Sequence, residues 1–227
     1  SALLPSNSTR RDLLRNALGL AAGSALVGTS HSVWAQSAGY PDRPLRMVIA
    51  FPAGGATDIL ARTLGQSMGT HLKQSVVVEN KPGAGGMIGM EAGAKSAPNG
   101  YNLFLCALTN QAIAGHLYPK ATSDITRDFE PVALLANGAH ILNVHPSVHA
   151  RNMSEFAAWL KASDGKINYA SQGNGTLSHL EAELLLQTLG VPAVHVPYRG
   201  SSQALPDLIA GNVMFMFDSV AASQPFL

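Results

Sequence analysis

The chain has 227 residues, of which 46% are apolar and 13% are charged, and its formal net charge is +1. This composition provides a sizeable core, excludes extensive disorder and, because no run of Lys and Arg follows residue 15, argues against nucleic-acid binding. The single cysteine, Cys106, excludes an internal disulfide framework and a cysteine-based zinc site.

The first predicted element is an export signal over residues 1–35. Paired Arg10 and Arg11 precede an apolar stretch from Ala17 to Gly28, and Val33-Trp34-Ala35 supplies a small-residue cleavage pattern. The apolar stretch is shorter than the roughly 20 residues that span a bilayer, so a removable signal is favoured over a membrane anchor. The paired arginines resemble a twin-arginine signal, although the general export route stays open, and both routes predict a periplasmic protein.

The next hundred residues alternate short apolar runs with helical patterns. Strands are predicted at 46–51, 75–80, 101–108 and 129–136, and helices at 59–72 and 90–97. Cys106 lies in the third of these strands and is interpreted as a small buried thiol.

The remaining residues repeat this alternation. Strands are predicted at 140–145, 167–171, 193–198 and 213–220, and helices at 153–163, 176–190 and 202–211. Ser154 and Gly190 are the predicted helix caps, and Pro206 is expected to break or kink its helix. Such alternation predicts an α/β fold with mainly parallel sheets. We therefore expect two α/β lobes, at 36–137 and 138–227.

Three loops rich in small residues follow predicted strands, at 52–58, 171–176 and 197–202. In parallel sheets, ligands bind beyond the carboxyl ends of the strands. The free N–H groups at a helix start favour an anion, but one exposed helix end contributes only about 0.3–1 kcal/mol. We therefore expect converging loops to hold a carboxylate-sized anion through main-chain groups.

Other kinds of site fit less well. The chain has no Gly-Lys-Ser/Thr triplet, and "GAGGMI" and "GNGTLS" both lack the last glycine of a dinucleotide fingerprint. His140, His145 and His149 lie close together, but Pro146 prevents their alignment on one helix, so they are interpreted as strand and turn residues. No cofactor or metal is predicted.

Three side chains keep an enzyme hypothesis open. Asp58 and Asp218 lie at strand ends, and His179 lies near the start of a helix. A capping role is favoured for Asp58, while His179 either lines the cleft or packs against neighbours. Asp218 is expected to meet a ligand amine or hydroxyl, or to form a turn. The alternative function is therefore an α/β enzyme acting on a small carboxylated substrate, although no Gly-x-Ser-x-Gly motif is present.

Several longer stretches resemble one receptor family. They include "YPDRPLRMVIAFPAGGATDILAR", "VVVENKPGAGGMIG", "YASQGNGTLSHLEAELL" and "HVPYRGSSQALPDLIAGNVMFMFDSV". These resemble the periplasmic receptors of tripartite tricarboxylate transporters, also called Bug proteins. The resemblance implies a two-lobed periplasmic-binding-protein-like fold of type II style. It also implies an organic acid or carboxylated amino acid as ligand, and membrane transporter subunits as partners.

The resemblance also assigns ligand-binding positions, motif by motif. They are Phe51, Ala53, Gly54, Gly55, Thr57, Asp58, Thr109, Asn110, Ser171, Gly173, Gly175, Thr176, His179, Tyr198 and Asp218. Receptors of this kind continue beyond the last residue of this chain. The second lobe and the return to the first lobe are therefore expected to be incomplete, and a truncated, non-functional receptor is a further alternative.

Overall fold

Two β-sheets, each packed against helices, organise the compact unit that runs from Pro41 to Leu227. The computed structural model describes residues 39–118 and 121–227. The predicted export signal at residues 1–35 lies outside the described residues.

The elements alternate along the chain in the βα order that the sequence predicts. The strands are β1 Leu45–Ile49, β2 Val76–Asn80, β3 Asn102–Leu105, β4 His140–Val144, β5 Asn168–Ser171, β6 Val194–Pro197 and β7 Phe215–Ser219. The helices are α1 Ala56–Leu72, α2 Met87–Ala94, α3 Leu108–Leu117, α4 Met153–Ala162, α5 Leu177–Leu189, α6 Ser201–Ile209 and α7 Val220–Ser223. Short 3₁₀ turns occupy Ala84–Gly86 and Gln224–Phe226.

The first sheet has the order β2-β1-β3, and all of its strands are parallel. The central strand β1 is almost continuously apolar because helices cover both of its faces. Met47 and Ile49 form its core with Ala61 of α1 and Leu105 of β3. The carboxyl ends of these parallel strands therefore lie along one edge of the sheet, where loops lead into α1, α2 and α3.

The second sheet has the order β4-β7-β5-β6, in which β4 runs antiparallel to β7 and the other pairs are parallel. Its core is aromatic. The Phe215 ring lies 5.3 Å from that of Tyr169 and 5.4 Å from that of Phe156, measured between ring centroids. These packed rings fix β5 and β7 against α4, and so place the loops that follow β5 and β7.

The predicted strand at 129–136 is wrong. Residues 129–139 have no regular secondary structure and form no ladder within the described part of the chain, and Val132 and Leu134 are 88% and 76% exposed. The residue pattern suits a strand, but a strand also requires a hydrogen-bonding neighbour. The predicted boundary between lobes, at residues 137 and 138, falls in this segment, and the division into lobes stays a prediction.

Helix α3 was not predicted, because the third predicted strand extended through residue 108, and the short helix α7 was not predicted either. The buried face of α3 carries Asn110, Gln111 and Ala114. Two of these three residues are polar, so hydrophobic periodicity gives no signal there. Asn110, a predicted ligand-binding position, lies in the first turn of this helix.

Three local predictions also need correction. Asn152, and not Ser154, caps α4, because its side chain accepts a hydrogen bond from the Glu155 N–H at 3.0 Å. Helix α6 does not end at Pro206, its sixth residue, although this proline has no N–H to donate to the Ser202 carbonyl. Cys106 lies just beyond β3 and is partly exposed, not buried.

Candidate ligand-binding cleft

A cavity of about 140 Å³ lies between loops that belong to the two sheets. The loops follow β2, β5 and β6, and the carboxyl end of α3 closes the cavity. The lining residues are Gly83, Ala84, Gly85, Gly86, Tyr118, Gln172, Gly173, Asn174, Pro197, Tyr198 and Arg199. The cavity therefore occupies the position where α/β folds place ligands, beyond the carboxyl ends of parallel strands.

Main-chain atoms of glycine form much of this wall. Gly85 has a φ of +63°, and a Cβ placed on it would lie 2.7 Å from the carbonyl oxygen of Asn174 on the opposite wall. A residue with a side chain cannot occupy this position without separating the two walls. The glycine-rich turn thus brings backbone N–H and C=O groups to the cavity surface.

Two of the predicted ligand residues, Gly173 and Tyr198, lie in the cavity wall. The others are not among its lining residues. These are Phe51, Ala53, Gly54, Gly55, Thr57, Asp58, Thr109, Asn110, Ser171, Gly175, Thr176, His179 and Asp218. The turn at 83–86 was not predicted as a ligand loop, because its glycines do not match a nucleotide fingerprint. It nevertheless carries the same signal as the three predicted loops, a cluster of glycines after a strand.

The loop after β1 is fixed internally by Asp58. Its carboxylate accepts hydrogen bonds from Gly54 N–H at 3.0 Å, Arg62 Nε at 2.9 Å and Asn80 Nδ2 at 2.9 Å. Burial by itself raises the pKa of Asp58, but the bonds from Arg62, Gly54 and Asn80 lower this pKa overall. In this structure, Asp58 holds the loop together and has both oxygens engaged.

The same loop contacts the other half of the molecule. A Cβ placed on Gly200 would lie 2.6 Å from Pro52 Cδ, and a Cβ on Gly54 would lie 3.5 Å from that of Ser202. The loop after β1 therefore packs against the loop after β6, next to the cavity and not within its wall.

The loop after β5 is held by side chains beneath it. Ser171 Oγ accepts from Gly173 N–H at 3.1 Å and lies 2.7 Å from His195 Nε2. Thr176 Oγ1 donates to the Gly173 carbonyl at 2.8 Å, and Gly175 N–H donates to His179 Nδ1 at 3.3 Å. These bonds fix the orientation of the Gly173 main chain at the cavity.

Two stacked imidazoles support this loop. The rings of His179 and His195 are 4.0 Å apart between centroids, with an angle of 11° between their planes. Burial lowers the pKa of both residues, and the neighbouring charge of His179 helps to lower that of His195 to about 4. At neutral pH His195 is therefore uncharged, and its Nε2 can accept the Ser171 hydroxyl proton.

Asp218 lies beneath the cavity with a fully buried side chain. Its Oδ1 accepts from Gln172 Nε2 at 2.5 Å, Ser201 Oγ at 2.9 Å and Ser219 N–H at 2.7 Å. Among the described residues its Oδ2 has no hydrogen-bond partner. Burial raises the pKa of Asp218, although the bonds from Ser201, Ser219 and Gln172 oppose this effect.

Helix α3 connects the two halves through polar contacts. Asn110 Oδ1 accepts from Leu177 N–H, the first amide of α5, at 2.8 Å. Tyr118 Oη donates to the Asn174 carbonyl at 3.2 Å. Asn110 thus occupies an amide at a helix start, the kind of group that the sequence analysis assigned to the ligand.

The cationic side chain at this cavity belongs to Arg199, which is exposed. Its backbone N–H donates to Gln203 Oε1 at 3.4 Å. The neighbouring Tyr198 donates its hydroxyl to Asp207 Oδ2 at 2.5 Å, and burial followed by this bond raises the Tyr198 pKa to about 12. The Tyr198 hydroxyl is therefore engaged by Asp207.

Comparison with known proteins places the chain in a family. The family described as "Tripartite tricarboxylate transporter family receptor" matches residues 60–227. The chain belongs to this family. A family member of known sequence, the UPF0065 protein encoded in the tcbD–tcbE intergenic region of Pseudomonas sp. strain P51, is 38% identical over 204 residues. These residues are 89% of this chain and 60% of the Pseudomonas protein, so the chain spans about three fifths of that relative.

Solved structures of receptors in this family share the fold. The periplasmic binding protein BugD superposes with a TM-score of 0.78 at 36% identity, covering 82% of this chain and 62% of BugD. MatC from Rhodopseudomonas palustris with bound malate gives a TM-score of 0.76 at 33% identity, covering 82% of this chain and 63% of MatC. The family and these neighbours are solute-binding receptors and not enzymes, and the predicted α/β binding-protein fold is confirmed.

Within 39–118 and 121–227, no group of three or more His, Cys, Asp and Glu residues is placed to hold a metal ion. His140 instead contacts Glu181 at 2.7 Å, and His145 contacts Ser147 at 2.7 Å. Every helix in these ranges falls short of the length and apolar character that a membrane crossing requires.

Proposed function

We propose that this chain is an extracytoplasmic receptor that captures a small carboxylate between its two lobes for a tripartite tricarboxylate-type transporter. The observation that supports this most strongly is the shared cavity, to which loops of both sheets contribute. A ligand held by both halves favours the arrangement in which they approach each other, and a membrane partner can recognise that arrangement.

The chemistry of the walls suits an acid. Glycine turns bring main-chain amides to the cavity, and Arg199 adds a cationic group at its surface. Main-chain donors bind a carboxylate with little cost of side-chain ordering, while a guanidinium can pair with a second acidic group. This combination favours a dicarboxylate over a monocarboxylate, and the malate bound to the relative MatC is an acid of that kind.

The site of action follows from the same proposal. Residues 1–35 would direct the chain to the periplasm and then be removed, with the paired Arg10 and Arg11 as a twin-arginine signal. The membrane subunits of the transporter would be the partners. BugD, described as a periplasmic binding protein, supports this location.

Thermal unfolding of the 227-residue chain with malate, succinate, glutarate and citrate tests the proposal, with putrescine as a cationic control. At a concentration 100 times Kd, an acid stabilises the protein by about 2.7 kcal/mol, which raises Tm by roughly 5–10 °C at this size. We expect such a rise with at least one acid and none with putrescine. Unchanged melting with every acid would contradict the proposal.

A pair of variants tests the role of Arg199. Arg199→Gln is expected to weaken dicarboxylate binding by about 5- to 10-fold, because it removes a charged hydrogen-bonding partner. Arg151→Gln, at an exposed arginine outside the cavity wall, is the matched control and should bind as the unmodified chain does. Isothermal titration measures both.

A further inference from the structure

Tyr118 lines the cavity and contacts both halves of the molecule, of which the first carries the first sheet and the second carries the second sheet. It directly follows α3, and its backbone N–H donates to the Ala114 carbonyl at 3.0 Å, so the helix fixes its position. Its ring packs against Met87, Met90 and Ala114 of the first half. Its hydroxyl donates to the Asn174 carbonyl of the second half at 3.2 Å, and Asn174 lines the same cavity.

The Tyr118 ring lies where the two walls come close together. A Cβ placed on Gly85, in the turn after β2, would lie 3.6 Å from Tyr118 Cε2, and so would a Cβ on Gly175, in the loop after β5. The Cβ on Gly85 would also lie 2.7 Å from the Asn174 carbonyl oxygen, which is the atom that accepts from Tyr118. Separation of the walls at this point therefore breaks the Tyr118–Asn174 bond.

A second hydrogen bond joins the same helix to the second half. Asn110 Oδ1, in the first turn of α3, accepts from the Leu177 N–H at the start of α5 at 2.8 Å. Helix α3 is thus bonded near both of its ends to the segment at 174–177. Because the Leu177 N–H is held across the boundary between the halves, its exchange with solvent hydrogen reports how often α3 and this segment separate.

We propose that Tyr118 is a positioning residue that holds the two cavity walls together and thereby limits how fast an acid enters and leaves. This inference rests on the proposed carboxylate-binding function and adds a residue that controls its kinetics. Both groups of the Tyr118–Asn174 bond belong to the protein, so the bond forms over the free cavity as well as over a bound acid. An acid therefore passes only in the fraction of molecules in which this bond is open.

Tyr118→Phe keeps the ring and removes the hydroxyl. Loss of one hydrogen bond favours the open walls by about 2- to 10-fold, so the association and dissociation rates are both expected to rise by that factor. Kd is expected to stay within about twofold, because the same bond is lost from the free chain and from the acid-bound chain. A hydroxyl that bound the acid directly would give another result, since its loss would raise Kd and the dissociation rate with little change in association.

Radiolabelled acid measures these rates in the 227-residue chain at pH 7. The probe is malate, or whichever of succinate, glutarate and citrate raises Tm more in the thermal panel. Displacement by excess unlabelled acid gives the dissociation rate, isothermal titration gives Kd, and the ratio of the two gives the association rate. Tyr101→Phe is the matched control and should keep both rates, because the Tyr101 hydroxyl donates to Asp42 Oδ1 at 2.6 Å within the first half, outside the cavity wall.

Hydrogen exchange of the Leu177 amide tests the same bond without any ligand. Tyr118→Phe is expected to accelerate this exchange by about 2- to 10-fold, because α3 and the segment at 174–177 separate more often. Tyr101→Phe should leave the exchange rate unchanged. The amide of Leu186, on the buried face of α5, is the internal control, because only a general loosening of the fold would accelerate it together with Leu177.

The outcomes separate the two proposals. If an acid binds but Tyr118→Phe leaves both rates unchanged, or raises Kd together with the dissociation rate alone, the inference is overturned. Unchanged exchange at Leu177, or equal acceleration at Leu177 and Leu186, also overturns it. If none of the acids binds, the proposed function fails, while exchange at Leu177 still shows whether Tyr118 holds the walls together. A thermal melt of Tyr118→Phe shows that the variant is folded.

Discussion

At the scale of single residues, the loop after β5 depends on uncharged histidines. Gly175 N–H donates to His179 Nδ1, which must therefore carry no proton, and Ser171 Oγ lies 2.7 Å from His195 Nε2. Glu183 lies 3.7 Å from His179 Nε2 and is the acidic group that opposes the effect of burial. From the sequence, His179 was expected to line the cleft or to pack against its neighbours, but no signal indicated that His195 would stack against it, since this contact joins two distant elements.

A pH dependence of stability follows for His195. Its pKa falls from 6.5 in the unfolded chain to about 4 in the folded chain, so the unfolded state binds more protons between these values. The contribution of His195 to the free energy of unfolding is therefore fully present above pH 6.5. It is lost as the pH falls toward 4, and the loss is at most about 3 kcal/mol. Urea unfolding at pH 7.5, 6.0 and 4.5 measures this loss.

His195→Gln isolates this contribution, because its amide can still pair with Ser171 but does not titrate in this range. The variant is expected to lose clearly less stability between pH 7.5 and 4.5 than the unmodified chain. His71→Gln, at an exposed histidine of α1, is the control and should retain the full pH dependence. Equal slopes in all three proteins would show that His195 does not have a lowered pKa.

At the scale of elements, close backbone approach decides how α2 packs on the first sheet. A Cβ on Gly89 of α2 would lie 2.5 Å from Ala50 Cα and 2.9 Å from the Lys81 carbonyl oxygen. These are backbone atoms, so they cannot move aside as a side chain can. The helix therefore lies against the end of β1 at a distance that only glycine permits, and this contact holds the turn at 83–86 in place.

Gly89→Ala is expected to destabilise the protein by about 3 kcal/mol or more, at the upper end of overpacking effects, because backbone must shift. Gly115→Ala in α3 is the matched control. Within the described residues, no atom outside the neighbouring helix backbone lies within 4 Å of a Cβ there, so the helical propensity of Ala should stabilise the fold by about 0.5–1 kcal/mol. Chemical denaturation measures both, and a Gly89→Ala variant as stable as the unmodified chain would contradict the packing described for α2.

The predictability of each element depends on whether its signal is local. Helix α5 ends at Gly190 in a left-handed conformation, as its sequence indicates. The strands β1 and β7 are buried apolar runs and were identified from their residues alone. Helix α3 buries Asn110 and Gln111 against distant loops, so no local pattern marks it. The segment at 129–136 has the residues of a strand, but a ladder depends on a neighbour that residue order does not supply.

At the scale of the whole molecule, the sequence predicted which loops lie between the halves better than it predicted which residues of those loops line the cavity. The rule that ligands lie beyond strand carboxyl ends placed the loops after β5 and β6 at the cavity. It did not show that the Asp58 carboxylate would accept hydrogen bonds from Gly54, Arg62 and Asn80 and not from a ligand. Nor did it show that the turn at 83–86 would form the opposite wall of the cavity. Those outcomes depend on contacts between residues far apart in the chain.

The exposed apolar segment at 132–136 gives the whole molecule a route to self-association. Val132 and Leu134 are 88% and 76% exposed in a stretch that has the residues of a strand but no ladder among the described residues, and such a stretch can pair with another chain. Leu134→Lys is expected to reduce light scattering on heating by about half or more while changing stability by no more than about 0.5 kcal/mol.

The control for this prediction is Leu184→Lys. Leu184 is 64% exposed, but it lies within α5, where the backbone hydrogen bonds are already made. This variant should scatter as the unmodified chain does. Equal scattering from all three proteins would show that the segment does not drive association.

The contact between Asn110 and the first amide of α5 has a thermodynamic consequence. Any acid that reaches the Leu177 N–H must first displace the carboxamide oxygen that already accepts from it at 2.8 Å. Binding at that point is an exchange of a neutral acceptor for an ionic one, and only the difference between the two bonds contributes to affinity. The binding enthalpy of an acid at the Leu177 N–H is accordingly smaller than the number of new contacts suggests. The Asn110 side chain also assists release of the acid, because it bonds to the same N–H when the acid leaves.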